Sequence, residues 1–101
     1  LAAAHAGLHV TVLERKRDPG ERPHTSGILV REALDGTLLG DAPAACLHRV
    51  ERVALYSPRL RRLDLHAPGY AFHTTDTPAL MRRLGTRLAG AGVDLRLGQS
   101  F

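Results

Sequence analysis

Apolar and polar positions change their period several times along the chain, and each change predicts a new element. Leu1 to Ala6 are good helix formers, and Gly7 stands where a left-handed residue stops a helix. Leu8, Val10 and Val12 then alternate with His9, Thr11 and Leu13. Because the second set is itself partly apolar, the pattern predicts a strand covered on both faces. Residues 15–27, RKRDPGERPHTSG, set Pro19, Gly20, Pro23 and Gly27 among charges and predict a loop. The stretch ILVREALD that follows predicts a short helix.

From Arg49 onward the period is two. RVERVALYSP, RRLDLHAP and GYAFHTT are three short runs, with Leu63, Leu65 and Ala67 alternating against Arg62, Asp64 and His66. Ser57-Pro58 and Pro68-Gly69 mark reversals, the second being the favoured centre of a type II turn. The expectation is an antiparallel three-strand meander with Leu63 and Leu65 inward and Arg62 and Asp64 in water. Thr77 as N-cap and Pro78 at the first helical position then start a helix, whose apolar stripe is Leu80, Leu84, Leu88 and Ala91. Gly90 and Gly92 stop it, and Val93, Leu95 and Leu97 alternate as a last strand. The predicted class is α/β, in the order helix, strand, loop, short helix, meander, helix, strand.

Composition narrows the function classes modestly. A chain of 101 residues, 44% apolar and 24% charged, reads as one folded globular domain. Its 14 Lys and Arg against 10 Asp and Glu give a net charge of +4, compatible with an anionic cofactor or peripheral contact with a membrane surface. The cations are scattered Arg with no aromatic platforms, so no nucleic-acid partner is expected. A single Cys46 excludes an internal disulfide and fits a reducing, cytoplasmic setting. No apolar run approaches the length of a membrane span. The chain opens without an initiator Met in what reads as a helix end, so a fragment of a longer protein is expected.

The acid that closes LHVTVLERK, Glu14, carries the first chemical hint. In the βαβ dinucleotide fold an acid about 20 residues beyond a glycine-rich loop accepts hydrogen bonds from the ribose hydroxyls. Counting back that far from Glu14 lands before Leu1. An ionised carboxylate is acceptor-only and matches two vicinal hydroxyl donors. A solvated strand end is the other reading, and the isolated acid does not choose between them.

The longer run VLERKRDPGERPHTSGILVREAL resembles the segment after the ribose-binding acid in FAD-dependent oxidoreductases of the aromatic hydroxylase and geranylgeranyl reductase superfamily. There too an acid and a basic residue end a strand, a Gly-containing turn follows, and a polar stretch ending in Gly opens a small helix near the flavin. The return through a helix and a strand, RRLGTRLAGAGVDLRLG, is similar as well. The resemblance implies a partial Rossmann-like FAD-binding domain from residues 1–48 and 76–101, with 49–75 beginning a substrate domain. It implies that Glu14 is the ribose acceptor and that Arg15 lies beside the adenosine or pyrophosphate. Arg22, Thr25, Ser26 and Gly27 would then lie along the cofactor toward the flavin or substrate. Thr77 stands where many relatives carry an Arg or Gln that reaches the cofactor; it is too short to repeat that contact, and the helix amides it organises still favour an anion.

The implied activity is that of a flavin-dependent oxidoreductase, geranylgeranyl reductase-like or monooxygenase-like. FAD is the cofactor, NAD(P)H the electron donor, and the substrate a small molecule or lipid-like compound. The chain alone is expected to be inactive and to bind FAD weakly or not at all. A nicotinamide-dependent dehydrogenase would share Glu14 but would continue with further βα units, and a small basic interaction module would need no cofactor. No catalytic acid or base is identifiable. His5, His9, His24, His48, His66 and His73 lack metal-ligand spacing, so no metal is expected. His66 and His73 are the one pair predicted to face each other, across the Pro68-Gly69 turn. Cys46 reads as a small buried residue.

Overall fold

Hydrogen bonding and packing divide the chain into two compact units in the computed structural model, which describes residues 1–101. The first joins Leu1–His24 to Thr77–Phe101, and the second is Thr25–Asp76. Residues 25–48, which the resemblance groups with 1–24 and 76–101, share a unit with the strands of 49–75. About a quarter of the residues are helical and slightly more are in strands, in small sheets, so the fold is mixed α and β.

In the first unit, helix α1 (Ala2–His5) leads to strand β1 (Thr11–Glu14). The chain returns through helix α3 (Thr77–Gly90) to strand β7 (Asp94–Leu97). The two strands pair in parallel, Thr11 with Asp94 through Glu14 with Leu97. Parallel neighbours need a crossover connection, and α3 is the helix of that crossover. It lays Leu80 and Gly85 inward, with Leu84 and Leu88 half-buried, as the apolar stripe predicts. Gly85 leaves room for Pro19 and Leu95, which lie 3.4 and 3.5 Å from where a Cβ would stand.

Both helices of this unit end as the sequence predicts. After α3 the N–H of Gly92 donates to the Ala89 carbonyl at 3.0 Å and that of Val93 to Leu88 at 3.1 Å. Gly92 has φ +75, so the chain makes a Schellman stop that a side chain would strain, and Val93 is buried directly behind it. Gly7, Leu8, Ala4 and Ala3 repeat the arrangement after α1.

The first strand departs from expectation. Val12 and Glu14 are half-buried, whereas Leu8 and Leu13 are 64% and 41% exposed. The prediction of a strand covered on both faces is corrected: the sheet has two strands, and α3 covers only the face of Val12, Glu14, Leu95 and Leu97.

The second unit begins with strand β2 (Ile28–Leu29) and helix α2 (Arg31–Leu34), so ILVREALD splits into a strand and one helical turn. A 3₁₀ turn at Ala44–Cys46 precedes strands β3 (Leu47–Val50), β4 (Arg52–Tyr56), β5 (Arg62–His66) and β6 (Phe72–Thr75). The expected meander does not form. β4 and β5 make a two-stranded ribbon, while β6 runs between β2 and β3 in a separate antiparallel sheet. Period-two patterning specifies faces and not partners, and as a central strand β6 bonds along both edges. The run RVERVALYSP changes sheets at Glu51, between β3 and β4.

Both predicted turns are present. Tyr70 N–H donates to the Ala67 carbonyl at 3.0 Å around Pro68-Gly69, and Gly69 has φ +75, as a type II turn requires. At the other reversal Leu60 N–H donates to the Ser57 carbonyl at 2.8 Å, and Leu60 itself takes φ +58 while 80% exposed. Leu63 and Leu65 do share a face with Leu55 and Val53, opposite Arg62 and Asp64. That face is open: Leu63 is 57% and Leu65 45% exposed, which corrects their inward assignment, because no third strand joins the ribbon. The core of the unit lies instead around Cys46 and Ala71.

Two substitutions probe these features by urea denaturation. Gly20→Ala should cost about 1 to 3 kcal/mol, since its Cβ would lie 2.6 Å from the Pro78 carbonyl oxygen. Leu60→Gly should stabilise the chain by about 1 kcal/mol through relief of the left-handed backbone. A loss on Leu60→Gly would show that the leucine side chain is held by packing.

Candidate functional site

Glu14 ends β1 on the face that looks toward α3. With Val12, Pro19, Met81, Leu84, Gly85, Leu88, Leu95 and Leu97 it lines a largely apolar groove of about 120 Å³. Its Oε1 accepts the backbone N–H of Lys16 at 2.8 Å, a short local bond that fixes the carboxylate, and its own carbonyl accepts from Gln99 N–H at 3.1 Å. Oε2 is left as the acceptor for an incoming donor.

Beyond Glu14 the chain alternates. Glu14, Lys16 and Asp18 are half-buried, whereas Arg15 and Arg17 are exposed. Lys16 is held at both ends: its carbonyl accepts Gly98 N–H at 2.9 Å, and its ammonium reaches the Arg22 carbonyl at 3.4 Å. Arg22 is exposed, with backbone φ +42.

The next turn is organised by Asp18. Its Oδ1 accepts the N–H of Gly20 at 2.8 Å, and its carbonyl accepts Glu21 N–H at 2.9 Å. Arg82 of α3 closes on the same carboxylate as a two-pronged fork, Nε to Oδ1 at 3.0 Å and Nη2 to Oδ2 at 2.7 Å. The Arg82 guanidinium first, then the Gly20 amide, hold the Asp18 carboxyl below its ordinary range. Gly20 is buried against the Pro78 carbonyl. The DPG turn is thus seated on the first half of α3.

Of the residues singled out from the sequence, Glu14, Arg15, Arg22 and Thr77 belong to the first unit, and Thr25, Ser26 and Gly27 to the second. Glu14 and Arg15 stand at the strand end, and Arg22 is joined to them through Lys16. Thr77, half-buried, opens α3. Thr25 and Ser26 are exposed; their hydroxyls accept the N–H groups of Gly27 and Ile28, each at 3.4 Å. Gly27 has φ +67, and its carbonyl accepts both Thr75 N–H at 2.8 Å and the Thr75 hydroxyl at 3.1 Å. Gly27 therefore extends the β2–β6 pairing by one step.

His66 and His73 lie in different sheets, opposite Arg52 and Arg49, so the pairing expected across the Pro68-Gly69 turn does not occur. Nδ1 of His73 is buried without a partner. Cys46 is buried, as read from the sequence.

Sequence reasoning missed Asp18 and Arg82. The Asp-Pro-Gly triplet is legible as a turn whose aspartate bonds its own backbone two residues on. Its partner is 64 positions away, and no local pattern links the two.

Comparison with protein-family models, curated proteins and solved structures returned no match. No helix is long and apolar enough to cross a membrane.

The Asp18–Arg82 pair sets a pH dependence. Because the folded-state carboxyl is more acidic than in the unfolded chain, its contribution is complete above the unfolded value near 3.9, and it is lost as pH falls through the still lower folded value. Asp18→Asn should therefore be slightly less stable than wild type at neutral pH, with the gap closing in strong acid. Denaturation midpoints at both pH values check this, and a gap that persists in acid would contradict it.

Proposed function

We propose that the chain is the adenosine-gripping part of an FAD-dependent oxidoreductase, geranylgeranyl reductase-like or monooxygenase-like, within a partial Rossmann-like domain. The observation that carries the reading is Glu14 itself. It stands at the carboxyl end of β1, in a parallel pair whose crossover contains α3, with one carboxylate oxygen held by Lys16 and the other available. Ligands of open parallel sheets bind beyond the carboxyl ends of the strands, and a fixed acid there suits the two vicinal hydroxyls of a ribose.

The residues present fit the adenosine half of such a cofactor. Glu14 accepts the ribose donors, and the exposed Arg15 offers a cation beside an anionic pyrophosphate. When bound, the flavin supplies hydride and electron transfer, with NAD(P)H as donor and a small or lipid-like molecule as acceptor. The work of this chain is binding and orientation. Thr77 opens the helix whose amides favour the anion. The setting is cytoplasmic.

The strand-rich stretch Thr25–Asp76 between β1 and α3 favours the flavoenzyme over a nicotinamide dehydrogenase, in which βα units follow one another. The open apolar face of β4 and β5 favours a second reading, a basic interaction module without catalysis.

Glu14 separates these readings when the full protein is titrated with FAD and followed by flavin fluorescence. Glu14→Ala should weaken binding by about 1.5 to 3 kcal/mol, roughly ten- to a hundredfold, at unchanged thermal stability. Glu14→Gln, which keeps one acceptor oxygen, should fall between wild type and Ala. Equal affinity in all three proteins, or no FAD binding at all, would remove the cofactor role and leave the interaction module.

A further inference from the structure

We infer that Arg82 and Asp18 are positioning residues for Glu14, a clamp that holds the cofactor-facing loop in one register against α3. The inference rests on the proposed cofactor role of Glu14 and extends it to a pair that touches no cofactor.

Residues 14 to 18 are pinned at every second position: Glu14 by Gln99 N–H, Lys16 by Gly98 N–H, and Asp18 by the Arg82 fork. The Glu14 carboxylate is bonded to the amide of Lys16, so its orientation follows the backbone at that residue. The β7 exit holds the near end of the segment. At the far end the side-chain hydrogen bonds to α3 are those of Asp18, and its partner there is Arg82. Without it, the backbone between Lys16 and Gly20 keeps its packing on α3 through Pro19 and Gly20 but loses the bond that sets its direction, and the Lys16 amide that aims Glu14 turns with it.

A clamp also explains the form of the interaction. The Arg82 and Asp18 side chains are 55% and 41% exposed, and an ion pair so open to water adds little to global stability. What it adds is geometry. Two parallel N–H···O bonds accept one relative placement of guanidinium and carboxylate, and the third acceptor bond, from Gly20 N–H, ties that placement to the backbone. Gly20 sharpens it further, because its backbone lies too near the Pro78 carbonyl for any side chain. Lysine would keep the charge at position 82 and lose the fork.

A double-mutant cycle in the full protein tests this, with FAD dissociation constants read from flavin fluorescence and thermal stability recorded for each variant. Arg82→Gln should raise the FAD Kd about tenfold with little change in melting temperature, and Arg82→Lys should recover only part of the loss. The decisive reading is the coupling. In the Arg82→Gln background, Glu14→Ala should cost about tenfold less than in the wild type, because a carboxylate no longer aimed has less left to lose. If Arg82→Gln also destabilises the fold, Arg82→Lys, which keeps the charge and loses the fork, carries the same comparison. An undiminished Glu14→Ala effect in the Arg82→Gln background, or an unchanged Kd for Arg82→Gln, would overturn the clamp while leaving the cofactor role of Glu14 intact. A Glu14→Ala protein that binds FAD like wild type would overturn both.

Discussion

Parallel strands cannot be joined by a tight turn, and that constraint organises the first unit. β1 and β7 lie side by side only because α3 brings the chain back in the same direction, and the apolar stripe of α3 is what holds it to the pair. The setting of Glu14 hangs on this arrangement. Glu14 ends one strand, Gly98 and Gln99 leave the other, and the amides of the second bond the carbonyls of the segment that follows the first. Two chain segments far apart in sequence thus become one fixed ledge.

The DPG turn shows how polar and steric effects share a task. Close packing sets the distance, through Pro19 against Gly85 and Gly20 against the Pro78 carbonyl. The Arg82 fork sets the direction. Apart from the two glycines the residues of this contact are half-buried or exposed, so their combined effect lies in specifying one loop conformation more than in adding free energy. Loops that carry ligand contacts gain most from this kind of support, since an unaimed carboxylate must be ordered at the moment of binding.

The second unit distributes its apolar surface differently. Its central sheet buries little beyond Cys46 and Ala71, while the ribbon of β4 and β5 presents Leu55, Leu63 and Leu65 on one face and Arg52, Arg62, Asp64 and His66 on the other. The amphipathic alternation is therefore genuine even though the apolar side is not covered. Alternation records which side chains point the same way; burial requires a second layer, and the ribbon has none.

Local signals in the sequence determined a good deal. The helix ends at Gly7 and Gly92, the Pro68-Gly69 turn, the stripe of α3, the loop after Glu14 and the two-residue period of β5 each arise from interactions within a few residues, where backbone sterics and side-chain direction leave little choice. Tertiary structure alone decided the partner of β6, the open face of Leu63 and Leu65, the single covered face of β1 and the union of Asp18 with Arg82. Strand edges offer the same N–H and C=O groups to any neighbour, so a pattern along one strand cannot name the strand beside it. A carboxylate and a guanidinium 64 positions apart meet only because helix packing has already placed one above the other.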